Sequence, residues 1–180
     1  MPVPDFAPGE VLTSSAMDSI GLWKVASGTL SLTTTPTNVT AVFNSTYTNY
    51  RLLLNITARS TTNRVDMKYI NGTTPTSTSY YQGGIGSNWN ADTVVYYQRS
   101  NNDAQFFGLA GNSPLQLSFD IYNPNVNTYT THTGTVVSVD NAYNYTVGGI
   151  QNANNVFTGF QLYTSTGTAT VKYQVFGYRD

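Results

Sequence analysis

Along much of the chain, apolar residues return at every second position. Leu115, Leu117, Phe119 and Ile121 alternate with Gln116, Ser118, Asp120 and Tyr122. Tyr50, Leu52, Leu54 and Ile56 alternate with Arg51, Leu53, Asn55 and Thr57. Val65, Met67 and Tyr69 oppose Arg64, Asp66 and Lys68, and Ala169, Val171, Tyr173 and Val175 oppose Thr170, Lys172, Gln174 and Phe176. Leu30 and Leu32 flank Ser31 in the same way. A period of two puts one face of an extended strand in the core and leaves the other polar. Less regular strand candidates are 38–44, 93–98, 104–109, 135–139, 143–148 and 156–163. Between them lie turn-rich pieces such as Asn71-Gly72-Thr73-Thr74-Pro75, Gly83-Gly84-Ile85-Gly86-Ser87-Asn88, Asn123-Pro124-Asn125 and Thr166-Gly167.

Short strands separated by Gly, Asn and Pro indicate a sandwich or barrel. No stretch between them has room for the crossover helices of a parallel sheet. One-sided alternation fits antiparallel strands with a solvated outer face. The expectation is therefore an all-β, antiparallel β-sandwich, jelly-roll-like, of eight-strand type with accessory strands. No repeat of fixed period occurs, which argues against a propeller or a β-helix.

The first residues read differently. Pro2, Pro4 and Pro8 fix the backbone of an extended arm that carries Val3, Phe6, Val11 and Leu12. From Thr13 to Ile20 the pattern predicts one short helix, with Thr13 or Ser14 as cap, Ala16, Met17 and Ile20 on one side, and Gly21 as its end. The expected organisation is an arm with a short helix over residues 1–22 and a β-sandwich domain over 23–180. Val3, Phe6, Val11, Leu12, Met17, Ile20 and Trp23 are the candidate anchoring residues. The arm either straps its own domain or docks on a neighbouring subunit.

Composition narrows the chemistry. Thr, Asn and Ser make up 28, 19 and 15 of 180 residues, whereas Lys, Arg, Asp and Glu together supply 17. Helical enzymes draw on Glu, Lys, Ala and Arg for their exposed faces, and Thr with aromatics favours pleated surfaces instead. A net charge of −1 offers nothing to a nucleic-acid backbone. With no cysteine, disulfides and thiolate–metal sites are excluded. No apolar run approaches the length of a membrane-spanning helix, and the N-terminus lacks the pattern of a secretory signal.

No catalytic constellation stands out. The acids are scattered; Asp66 and Asp120, both expected on outward strand positions, are the pair that could meet across a groove. The lone His132 lies in Tyr129-Thr130-Thr131-His132-Thr133, which reads as a polar loop, and there is no Gly-x-Ser-x-Gly elbow, phosphate loop or dinucleotide fingerprint. Asn101-Asn102-Asp103 and Asp140-Asn141 hold oxygen ligands without EF-hand spacing and read as turns. The expectation is a non-enzymatic chain with no cofactor and no metal. Tyrosine is more informative, because a rigid ring with a polar tip serves both protein interfaces and sugars. Tyr80, Tyr81, Trp89, Tyr96 and Tyr97 form the candidate glycan platform.

Both ends of the chain resemble small tailed-bacteriophage virion structural proteins. Phe6-Ala7-Pro8-Gly9-Glu10-Val11-Leu12-Thr13-Ser14-Ser15-Ala16-Met17-Asp18-Ser19-Ile20, then Trp23, resembles the opening of phage appendage and fibre proteins, a G-x-V-L-T-A-x-x-x-N-like segment with Asp18 where Asn is usual. Phe157-Thr158-Gly159-Phe160-Gln161-Leu162-Tyr163, Gly167-Thr168 and Val175-Phe176-Gly177-Tyr178-Arg179 resemble their closing hairpin, with Gln161 and Phe176 replacing Arg and Tyr. The resemblance implies a β-sandwich body, homotrimeric assembly and a place on the virion exterior after assembly in the host cytoplasm. The leading expectation is a capsid decoration (cement) protein, its arm fastened to the major capsid protein or another virion protein. The alternative is a head or tail fibre or adsorption protein that binds a host surface glycan. Neither involves nucleic acid or a membrane.

Overall fold

Residues Leu115–Tyr122 form a strand in which every second side chain is buried, as their alternation dictates. In the computed structural model this strand sits near the middle of a large sheet. The structure describes residues 21–60, 64–102, 105–107, 115–138 and 143–178, with the side chains of 97, 99–102 and 105–107 left out. In chain order the strands are β1 (Leu22–Leu32), β2 (Thr37–Val39), β3 (Asn49–Arg59), β4 (Val65–Asn71), β5 (Thr74–Pro75), β6 (Tyr80–Asn88) and β7 (Thr93–Asn102). They continue with β8 (Gln105–Phe107), β9 (Leu115–Tyr122), β10 (Thr128–Ser138), β11 (Tyr143–Asn155), β12 (Gly159–Thr164) and β13 (Ala169–Tyr178).

Eight strands make one sheet in the order β1-β13-β3-β9-β10-β11-β6-β7. The other five make a second sheet, β2-β12-β4-β5, with β8 also on β4. Every pairing is antiparallel. The expected jelly-roll-like sandwich with one short helix is thus corrected. A jelly roll divides eight strands between two equal sheets through two Greek keys. Here eight strands share one sheet, and β3 to β4 and β12 to β13 each change sheets. Among the described residues there is no helix. The stretch Thr13–Ile20 and the arm before it lie outside the described residues. Alternation tells which face of a strand is buried and says nothing about which strand lies beside it.

The inner faces of the two sheets enclose one core. Leu52, Leu54, Ile56, Leu117, Phe119 and Val171 from the large sheet join Val65, Met67, Tyr69, Phe160 and Leu162 from the small one. Each fully buried Leu or Phe contributes about 1.5–3 kcal/mol of transfer free energy. The loop after β2 closes one end of this core with Val42 and Phe43. The Phe43 ring meets Tyr50 edge-on at 4.9 Å. The Tyr50 hydroxyl accepts from the Asn44 N–H at 2.7 Å and donates to the Asn44 carbonyl at 2.8 Å. A buried tyrosine is therefore fully hydrogen-bonded at its polar tip.

Two segments that read as turns or loops are strands. Gly83–Asn88 belongs to β6, and Tyr129–Thr133 belongs to β10. In β6 the missing side chains are required. A Cβ on Gly86 would fall 1.8 Å from the Asn144 carbonyl oxygen of β11, so only glycine lets these backbones approach. In β10 the inward positions are Thr130, His132, Gly134, Val136 and Ser138, too mixed to produce an apolar alternation.

Candidate ligand-binding face

The outward positions of the large sheet line up across strands in rows. One row runs Thr29, Lys172, Asn55, Gln116 and Val137 from β1 to β10, then Asn144, Ser87 and Val94 from β11 to β7. The next runs Ser27, Gln174, Leu53, Ser118 and Thr135, then Thr146, Ile85 and Tyr96. The first five strands of these rows bound a trough of about 750 Å³. A second hollow of about 460 Å³ continues it over β10, β11, β6 and β7, sharing Thr135 and Val137. Strands about 4.8 Å apart make each row a regular series of side chains across the face.

The two ends of this face differ chemically. Around β1, β13, β3 and β9 the trough presents the amides of Asn55, Gln116 and Gln174 and the hydroxyls of Ser27 and Ser118, with Leu53 between Gln174 and Ser118. Amides offer both donors and acceptors, the pairing that a polyhydroxylated ligand needs. The Asn55 Oδ1 is buried and receives no hydrogen bond from the protein. Toward β7 the face becomes apolar, with Ile85, Val94 and Tyr96 exposed, Tyr96 to 80%. Asn144 is already engaged there, its Oδ1 accepting from the Ser87 hydroxyl at 2.8 Å.

An ion pair flanks the trough. Arg51 donates through Nε and Nη2 to the two oxygens of Asp120, both at 2.8 Å. The Tyr178 hydroxyl also donates to Asp120 Oδ1, and the Arg51 guanidinium lies over the Tyr178 ring at 5.8 Å. The arginine beside it holds the Asp120 carboxyl below the usual carboxylate range, helped by Tyr178 and opposed by partial burial. The same contact raises Arg51. Burial, then the bond to Asp120, pushes the Tyr178 hydroxyl up to about 12.

The structure places the residues singled out in the sequence as follows. Tyr80 points into the core, where its hydroxyl accepts from the Tyr69 N–H at 2.9 Å and donates to the Thr76 carbonyl at 3.1 Å. Its neighbour Tyr81 points outward, and with Tyr96 it lies at the apolar end of the ligand face. Trp89, 54% exposed, sits in the turn joining β6 to β7. The side chain of Tyr97 is outside the described residues, as are Val3, Phe6, Val11, Leu12, Met17 and Ile20. Trp23 lies half-buried on β1, its indole N–H without a protein partner.

Three further expectations change. Asp66 is buried rather than outward, and Arg64 Nε donates to it at 2.9 Å. It belongs to the small sheet, whereas Asp120 belongs to the large one, so the two carboxylates do not share a groove. His132 is buried on the inner face of β10 with the Phe119 ring edge-on at 5.7 Å. Burial pushes its imidazole down to about 4, and neither ring nitrogen has a protein partner. Among the described residues no three His, Cys, Asp or Glu side chains gather where they could hold a metal, and no helix could cross a membrane. Among the described residues no metal-holding cluster forms, and Asp66 and Asp120 do not converge.

Sequence reasoning did not single out Asn55, Gln116, Gln174 or Lys172 as site residues. Their signal was present, since each is an outward position of a clean alternation. What joins them is register, which only the paired strands supply.

No family model matches the chain, and no curated protein does. Among solved structures, the chain has a likeness to the crystal structure of Caenorhabditis elegans galectin LEC-6, at 13% sequence identity and a TM-score of 0.39, over 83% of this chain and 96% of that one.

Proposed function

We propose that the β-sandwich body is a carbohydrate-binding module of the adsorption type, carried on a virion exterior and directed at a host surface glycan. The observation that carries this reading is the trough on the outer face of the large sheet, where the amides of Asn55, Gln116 and Gln174 and the hydroxyls of Ser27 and Ser118 surround the apolar Leu53. Side-chain amides and hydroxyls both donate and accept, so they can pair with the hydroxyls of a sugar in either sense. Tyr81 and Tyr96 on the same face offer ring surfaces against which sugar C–H groups pack. The virion setting and the homotrimer rest on the resemblance of the two chain ends. The decoration reading depends on the arm at residues 1–22, whereas the trough belongs to the body, and for that reason we favour adsorption.

The test is binding of the purified protein to an oligosaccharide array, repeated with Asn55→Ala and Gln116→Ala combined. The expected result is saccharide binding that the double variant weakens roughly tenfold or more, from two lost hydrogen bonds, with an unchanged unfolding midpoint. Absence of binding to every saccharide, or equal binding by the double variant, would overturn the reading.

A further inference from the structure

We infer that the trough selects an acidic saccharide, one bearing carboxylates or sulfate esters, and that Lys172 is the residue that reads the anionic group. The inference rests on the proposed carbohydrate binding and adds the charge class of the ligand.

Lys172 is exposed on β13 within the row Thr29, Lys172, Asn55 and Gln116, and it lines the trough. No carboxylate lines the trough. The large sheet's described strands carry a single carboxylate on this face, Asp120, and Arg51 and Tyr178 already hold it. The other described acids are distant in the topology. Asp66 is on the small sheet with Arg64, and Asp92 sits in the turn joining β6 to β7, six strands across the sheet from Lys172. Among the described residues, Lys172 is thus the charged group that lines the trough, and Asp92 stands at the far turn.

The neighbours suit an anionic sugar better than a bare anion. A lysine ammonium is a mobile point charge with three donors, able to reach a carboxylate or sulfate without fixed fork geometry. Beside it, Asn55 and Gln116 stand in register to bond the ring hydroxyls that an isolated anion lacks. In a chain with only 8 Lys and Arg among 180 residues, a lysine set among amides is a specific placement, not part of a basic surface.

The experiment compares oligogalacturonate, κ-carrageenan oligosaccharides and neutral manno-oligosaccharides by titration calorimetry, with the whole protein, K172Q, K172R and K24Q. Lys24 is exposed and shares the outer face at the β1 edge, yet does not line the trough, so it controls for diffuse charge. The expected result is roughly tenfold tighter binding of at least one acidic series over the neutral one. That preference should be lost in K172Q, kept in K172R and K24Q, and weakened by added salt. The carboxylate and sulfate arms separate the two sources of charge. Neutral and acidic series bound equally well, or a preference unchanged in K172Q, would overturn the inference and leave carbohydrate binding standing. Failure of all three series to bind would count against both.

Discussion

The two faces of the large sheet come from the same strands, one residue apart. On β3 and β9, Leu52, Leu54, Leu117 and Phe119 enter the core, while Leu53, Asn55, Gln116 and Ser118 face the trough. The inner face is held by dense packing against the small sheet, so any lost volume is felt. Among the described residues the outer face carries its backbone pairing and a few side-chain contacts, the Arg51–Asp120–Tyr178 cluster and the Ser87–Asn144 bond among them, so the trough side chains between these are available for a ligand. Stability and recognition are thereby separated across the thickness of one sheet. Substitutions should divide in the same way.

The sharpest division is expected from Phe119→Ala on the inner face. It removes a fully buried ring that packs on His132, and should cost about 3–5 kcal/mol in urea unfolding. A cost below 1 kcal/mol would break the comparison by showing that the inner face is not close-packed there.

A smaller effect should come from acid. His132 is neutral in the fold, with its pKa lowered from 6.5 to about 4 by burial. The unfolded chain therefore takes up the proton first, and stability falls as pH drops from about 6.5 toward 4, by about 3 kcal/mol over the window. Above 6.5 this contribution is fully present. Asp120 has the opposite charge type but acts at lower pH: its contribution is present above the ordinary carboxylate range and is lost as pH falls through its lowered value. Urea midpoints across this range should show the slope, and His132→Leu should flatten it between pH 6.5 and 4. A slope retained in that variant would assign the loss to other groups.

The smallest effect should come from Asp120→Asn on the outer face. The pair is partly exposed, 37% for Arg51 and 25% for Asp120, so its loss should cost about 1 kcal/mol or less. A cost comparable with that of Phe119→Ala would erase the distinction between the faces.

Legibility in the sequence follows the same physics. β3, β9 and β13 could be read directly because Leu52, Leu54, Leu117, Phe119, Val171 and Val175 mark one face with apolar side chains. β10 was obscured because its buried face holds Thr130, His132 and Gly134, which give no apolar signal. β6 was obscured because close approach to β11 demands glycine, and glycine is also the mark of a turn. Of the aromatic platform, the sequence supplied Tyr81, Trp89 and Tyr96 as surface groups but could not tell Tyr80 from Tyr81, since adjacent residues of a strand face opposite ways.

What the sequence by itself determined is the local rule: strands, their buried faces, and a surface poor in charge and rich in amides and hydroxyls. That rule is written in nearest and next-nearest neighbours along the chain. The eight-and-five division of strands, the burial of Asp66 and His132, and the assembly of Asn55, Gln116 and Lys172 into one trough were decided only in the tertiary structure. These residues come from strands far apart in the chain, and register between such strands is set by how the two sheets pack, a quantity no single segment contains.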